Sequence, residues 1–154
     1  MSIRSARTLL LGGALAILAA CGGSSSNNVG GLPPGFYVSI SGMAFSPLQL
    51  EVPPGGTVTV QNKDSGMSHT VTSEAASGDF TPGAVAGVQF DTGNVAGGSS
   101  ATFTIPATAA EGTIIPYYCK VHTSGMATPN GSIKVNSAAQ PSGGTTGGGS
   151  GGGY

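Results

Sequence analysis

An all-β fold, a single-domain Greek-key β-sandwich, is predicted by three features of this chain. Short stretches alternate apolar and polar residues with period two, clusters of turn-forming residues separate them, and no longer window carries helical periodicity. Tyr37-Val38-Ser39-Ile40 and Leu48-Gln49-Leu50-Glu51-Val52 open the series, and Thr57-Val58-Thr59-Val60 follows. Thr70-Val71-Thr72, Ala101-Thr102-Phe103-Thr104-Ile105 and Ser132-Ile133-Lys134-Val135 complete it. Each reads as a half-buried strand. Pro53-Pro54-Gly55-Gly56, Thr92-Gly93-Asn94 and Pro129-Asn130-Gly131 supply the turn residues between them. The span 36–136 is long enough for one hydrophobic core and too short for two. No internal repeat is visible.

The ends differ in composition from this span. Residues 1–20 begin with Arg4 and Arg7 and continue into an apolar run, Leu9 to Ala20, that is too short to cross a bilayer comfortably. This is the build of a secretory signal peptide. Its end, Leu18-Ala19-Ala20-Cys21, resembles the lipobox of bacterial lipoproteins, which implies that Cys21 is lipidated and becomes the new N-terminus. At ~0.8 kcal/mol per buried methylene, two or three acyl chains would hold such a protein on a membrane stably. Residues 21–35, rich in Gly, Ser and Asn, read as a flexible tether, and 137–154 as a disordered Gly/Ser-rich tail. The expected location is therefore outside the cytoplasm, anchored to a bacterial membrane. Gly22 after the anchor, where some Gram-negative inner-membrane lipoproteins carry Asp, favours the outer membrane.

Beyond residue 20 the charges are Lys63, Lys120 and Lys134 against Glu51, Asp64, Glu74, Asp79, Asp91 and Glu111, a formal −3. No basic patch exists for nucleic acid, and strong electrostatic steering is not expected. A monomer that docks on partners through mostly apolar surface fits this composition.

The chemistry concentrates in Tyr117-Tyr118-Cys119-Lys120-Val121-His122-Thr123-Ser124-Gly125-Met126. This run places a thiol, an imidazole and a thioether within eight residues. His69, the only other histidine, opens an alternating stretch upstream. Taken singly, Cys119 reads as a small buried hydrophobe, Met126 as core filler and His69 as a hydrogen-bonded histidine. Together they form a His2Cys set with an available methionine, the donor set of a mononuclear blue-copper site; structural zinc would ask for more thiolates. Once Cys21 is lipidated, Cys119 is the single remaining thiol of an exported protein. Metal ligation or burial would protect it from oxidation.

On these residues the chain resembles the cupredoxins of the plastocyanin, amicyanin and pseudoazurin type. Phe45-Ser46-Pro47, Val52 to Val60 and Asn62-Lys63-Asp64 are similar to the family's opening hairpin, and His69-Thr70-Val71-Thr72-Ser73 to its first ligand and strand. Phe90 to Asn94 with Ser100 to Thr104 resembles the strand pair before the ligand loop, and Tyr118 to His122 with Gly125-Met126 the loop itself. The resemblance implies one type 1 copper ion held by His69, Cys119 and His122, with Met126 axial. It also implies that His122 lies near the surface as the exit for electrons, with redox partner proteins docking around it. Two features depart from many relatives: three residues separate His122 from Met126, and Thr70 stands where an asparagine commonly braces the ligand loop.

The implied activity is one-electron transfer between extracytoplasmic redox partners. Copper delivery or buffering is the alternative, and a metal-free surface sandwich a third, since one fold hosts many functions. Enzymatic activity is not expected, because both histidines serve as ligands and no paired carboxylates or nucleophile–base pair is visible.

Overall fold

The computed structural model describes residues 32–143. The leader at 1–20, Cys21 and the tether up to residue 31 lie outside that span, as does the tail from residue 144. Eight strands form: β1 (Phe36–Ser41), β2 (Ala44–Ser46), β3 (Gln49–Val52), β4 (Thr57–Asn62), β5 (Thr72–Ser73), β6 (Ser100–Thr104), β7 (Ile114–Tyr118) and β8 (Asn130–Val135). They make two four-stranded sheets, ordered β2-β1-β4-β6 and β3-β8-β7-β5. β1 runs parallel to β4 and β3 parallel to β8, while the other pairings are antiparallel. A 3₁₀ turn over Thr123–Gly125 is the one helical element among the described residues.

Alternation explains the core. Val38 and Ile40 of β1, Val58 and Val60 of β4 and Phe103 of β6 share one hydrophobic cluster with Val52, Ile115, Tyr117, Ile133 and Val135 of the second sheet. Fully burying one such side chain stabilises the fold by about 1.5–3 kcal/mol. Their polar neighbours face outward, as at Thr57 and Thr104, whose hydroxyls pair across β4 and β6 at 3.0 Å. The two sheets therefore close on one another as a β-sandwich.

Four local features differ from the alternation pattern. β2 is only three residues long, below the length at which a period can be read. It follows a two-residue turn at Gly42-Met43, where Ser41 pairs with Ala44 and both turn residues have positive φ, 59° and 58°. That is the backbone of a tight type I′ hairpin, unusual for a methionine. β7 reads Ile-Ile-Pro-Tyr-Tyr, a run without polar alternation: Ile115 and Tyr117 point into the core, but the outward Ile114 and Pro116 are apolar as well, and Tyr118 is also buried. The expected half-buried strand at Thr70-Val71-Thr72 is instead buried on both faces. The connection from 84 to 99 covers its outer side, with bridges His69 to Val95 and Thr72 to Asp91. That connection holds Phe90 to Asn94 through such isolated bridges and not through a continuous strand.

The fourth difference is Asn130-Gly131, which begins β8 and is not a turn. Glycine is needed here because a Cβ would run into the ring of Tyr117 on the neighbouring strand. Asn130 likewise uses its amide to bond Glu74. At the other edge of the domain, Gly35 and Ser142 exchange backbone hydrogen bonds of 2.9 and 2.8 Å, so the segments that flank the sandwich touch.

Candidate metal centre

Three donors converge at one end of the sandwich. His69, Cys119 and His122 offer ligand atoms that all lie within 4.8 Å of one another. The first enters from the segment leading into β5; the other two come from the loop that leaves β7. Tertiary pairing brings them together, since Thr72 and Ser73 of β5 sit opposite Tyr118 and Tyr117 of β7. His69 and Cys119 are fully buried and His122 is partly exposed.

Both imidazoles turn the same atom inward. Nδ1 of His69 lies 3.7 Å from Cys119 Sγ and Nδ1 of His122 3.5 Å from it. The donor atoms fit a first-row ion. One bonded at about 2.0 Å to nitrogen and about 2.3 Å to sulfur, the values for zinc, separates the two by about 3.5 Å at a tetrahedral angle and about 3.7 Å at a trigonal one. With thiolate and imidazoles as the donors, the set suits copper.

The loop turns back on itself after His122. Thr123 N–H donates to the Cys119 carbonyl at 2.8 Å and Gly125 N–H to the His122 carbonyl at 2.7 Å, closing the 3₁₀ turn. Thr123 takes positive φ, 44°, to make it. Met126 then folds back into the same buried cluster as Cys119. The three-residue spacing after His122 is thus the length of this turn.

Around the donors lie groups that hold them in place. Asp64 is almost buried, and its carboxylate accepts from His69 Nε2 at 3.1 Å, Gly42 N–H at 2.5 Å and Met43 N–H at 3.0 Å. A proton on Nε2 leaves the Nδ1 lone pair of His69 free to face the metal position, the usual role of a carboxylate behind a ligating imidazole. The Met43 N–H bond, the largest influence, keeps the Asp64 carboxyl below its ordinary range despite its burial. Burial, and then the charge of His122, push the His69 imidazole below its ordinary value, against the opposing pull of Asp64. Both effects keep the ligand neutral. Asn62 fixes the approach, donating to the Met67 and Val95 carbonyls at 2.7 and 2.9 Å and accepting from Asp64 N–H.

The Gly42-Met43 hairpin joins this bracket to the ligand loop. The Met43 carbonyl accepts from Ala127 N–H at 2.8 Å, and Thr128 Oγ1 accepts from Phe45 N–H at 2.6 Å. Thr70 provides the brace that its asparagine-bearing counterparts are expected to supply. Its N–H donates to Cys119 Sγ at 3.4 Å and its hydroxyl accepts from Lys120 N–H at 2.8 Å. The three residues that converge, His69, Cys119 and His122, were legible from the sequence, with Met126 expected beside them; the bracket of Asp64 and the hydroxyl brace of Thr70 were not. Asp64 lies five residues before His69 in a turn, and nothing in that spacing says the two side chains meet.

Comparison with known proteins agrees with this geometry. Residues 36–136 match the profile of the copper-binding proteins of the plastocyanin/azurin family. The chain belongs to that family. Among curated proteins, none matches the sequence. Among solved structures, an amicyanin variant in its reduced Cu(I) form at pH 4 is 22% identical, with TM-score 0.51, over 68% of this chain and 85% of that one. A second, reduced amicyanin variant aligns over the same shares at 22% identity and TM-score 0.50. A copper-containing nitrite reductase from Thermus scotoductus aligns at 21% identity and TM-score 0.50, over 68% of this chain but 23% of its own. These likenesses establish the cupredoxin fold. The family and the convergent His2Cys set with a buried methionine identify a single type 1 copper ion as the cofactor.

Proposed function

We propose that this cupredoxin is a one-electron carrier tethered to the outside of a bacterial membrane, with His69, Cys119 and His122 as copper ligands and Met126 as the axial one. When bound, copper supplies a Cu(II)/Cu(I) couple that accepts one electron from a reduced partner protein and yields it to an oxidised one. The protein's own part is to keep the donors still while the charge changes. Asp64 holds the His69 ring and its tautomer, Thr70 grips Cys119 from both sides, and the 3₁₀ turn fixes Met126 behind them. Partly exposed His122 beside exposed Val121 is the place where partners would dock and electrons leave. The observation that carries this reading is the turning of both Nδ1 atoms toward one buried sulfur.

A soluble form starting near Gly30, loaded with Cu(II), should show an intense visible thiolate-to-copper band. The band should bleach with ascorbate, return on reoxidation and be missing in Cys119→Ser. Metal bound one to one without such a band would sink the carrier reading. Loss of Cu(I) to a modest chelator during cycling would replace it with copper delivery, and turnover of a small substrate would replace it with an enzyme. Anchoring is supported by the lipobox-like Leu18-Ala19-Ala20-Cys21, and Cys21→Ala should move the full-length protein from the membrane to the soluble fraction.

A further inference from the structure

Lys120 follows the thiolate ligand directly, and both of its ends are held. Its backbone N–H donates to Thr70 Oγ1 at 2.8 Å, and its ammonium pairs with Asp91 Oδ2. Thr70 and Asp91 are themselves joined through Thr72, whose hydroxyl lies 3.1 Å from Thr70 Oγ1 and 3.0 Å from Asp91 Oδ1. These contacts close a ring. Thr70 and Thr72 are buried, and the turn at Gly93 fixes Asp91 by donating its N–H to Oδ1 at 2.9 Å.

The Thr72 hydroxyl is the donor on both sides of the ring, facing Thr70 Oγ1 and Asp91 Oδ1. It carries one proton, shared between these two acceptors, while Thr70 Oγ1 also accepts from Lys120 N–H. The hydroxyl thus ties the oxygen that holds the Lys120 backbone to the Asp91 carboxylate. An exposed Lys–Asp pair alone contributes little to folding. Here, through Thr72 and Thr70, it ties the backbone on the C-terminal side of Cys119 to the segment that carries His69.

We propose that Asp91, through Thr72 and Lys120, is a positioning group for the Cys119 ligand, so that the ring sets thiolate orientation and thereby copper affinity and the visible spectrum. This rests on the copper reading of the site. The Thr72 hydroxyl bonds Thr70 Oγ1 and Asp91 Oδ1 and no donor atom, so removing it tests the ring without removing a hydrogen bond to sulfur.

Thr72→Val keeps the side-chain shape and removes the hydroxyl; Thr72→Ser keeps the hydroxyl. In the copper-free full chain, Thr72→Val should speed amide exchange at Lys120 about tenfold and Thr72→Ser should not. Loaded with Cu(II), the Val variant should bind about tenfold more weakly, the low end for groups that orient metal ligands, with a shifted thiolate band. The Ser variant should match the parent. Should Thr72→Val fail to fold, Asp91→Asn and Lys120→Met at the half-exposed pair carry the test. They change the local charge in opposite senses, yet a positioning role predicts the same band shift and weaker binding in both.

Opposite changes in those two variants would leave charge alone and overturn the proposal. So would unchanged Lys120 exchange and band in Thr72→Val, or equal damage in Thr72→Ser, which would mean packing of the methyl group. A parent protein with no thiolate–copper band fails the copper reading itself and takes the proposal with it. A parent with the band and an unaffected Thr72→Val refutes the ring only.

Discussion

Replacing Asp64 with alanine removes one carboxylate that serves two purposes. It bridges the His69 ring to a strained hairpin, whose Met43 carries positive φ, and that hairpin also holds the ligand loop at Ala127 and Thr128. Three charge-assisted bonds are lost. Gly42 is exposed, so water can replace its bond at small cost. The bonds to Met43 N–H and His69 Nε2 are more sheltered, and hydrogen bonds to a charged partner contribute about 1.5–3 kcal/mol each. At the low end for both, the copper-free protein should lose about 3 kcal/mol in urea unfolding. Copper affinity should fall by about 10- to 100-fold, or roughly 1.4–2.7 kcal/mol, in competition with a chelator, because His69 loses its tautomer and its aim. Asp64→Asn, which keeps one accepting oxygen, should lie between. If Asp64→Ala unfolds within about 0.5 kcal/mol of the parent, as an ordinary surface change does, and binds copper equally well, the bracket described here has no energetic role.

Gly131→Ala drives a methyl group into the Tyr117 ring, which Phe45 already meets edge-on with centroids 5.0 Å apart. Overpacking of this kind costs about 1–3 kcal/mol, and calorimetry should show the melting temperature lowered by about 4–8 °C for each kcal/mol. Glu74, buried, accepts from Gly78 N–H at 3.1 Å, Phe80 N–H at 2.8 Å and the Asn130 amide. Glu74→Gln should cost about 1.5–3 kcal/mol and speed proteolysis of the segment 75–83, which leans Phe80 on Tyr118; an undiminished resistance would contradict this. The Lys134 ammonium, and then the Asn136 amide, hold the exposed Glu51 carboxyl below its ordinary 4.5. Because the folded value is the lower one, the stabilisation is present above pH 4.5 and is lost as pH falls through the folded value. NMR titration should show Glu51 returning toward 4.5 in Lys134→Gln, and partly so at high salt.

Much of this protein was readable in one dimension, because its information is local. Period-two stretches such as Val58-Thr59-Val60 must bury one face, whatever their partner, and Cys119, His122 and Met126 lie within eight residues because a single tight turn presents them all. What escaped was non-local or lacked a period. β7 does not alternate in sequence because its outward positions, Ile114 and Pro116, are apolar too, and Gly131 resembles a turn residue although its glycine answers to a tyrosine on the next strand.

The sequence by itself determined the sandwich class, the donor set and hence the metal, since these depend on side-chain chemistry and short spacing. Only the tertiary structure decided which groups stand behind the donors. Asp64 reaches His69, five residues on, and at once the 42–43 hairpin, 21 and 22 residues back, while Asp91 closes on Lys120 across 29 residues. No spacing encodes such contacts, because they exist only where two sheets and a covering loop are folded onto each other.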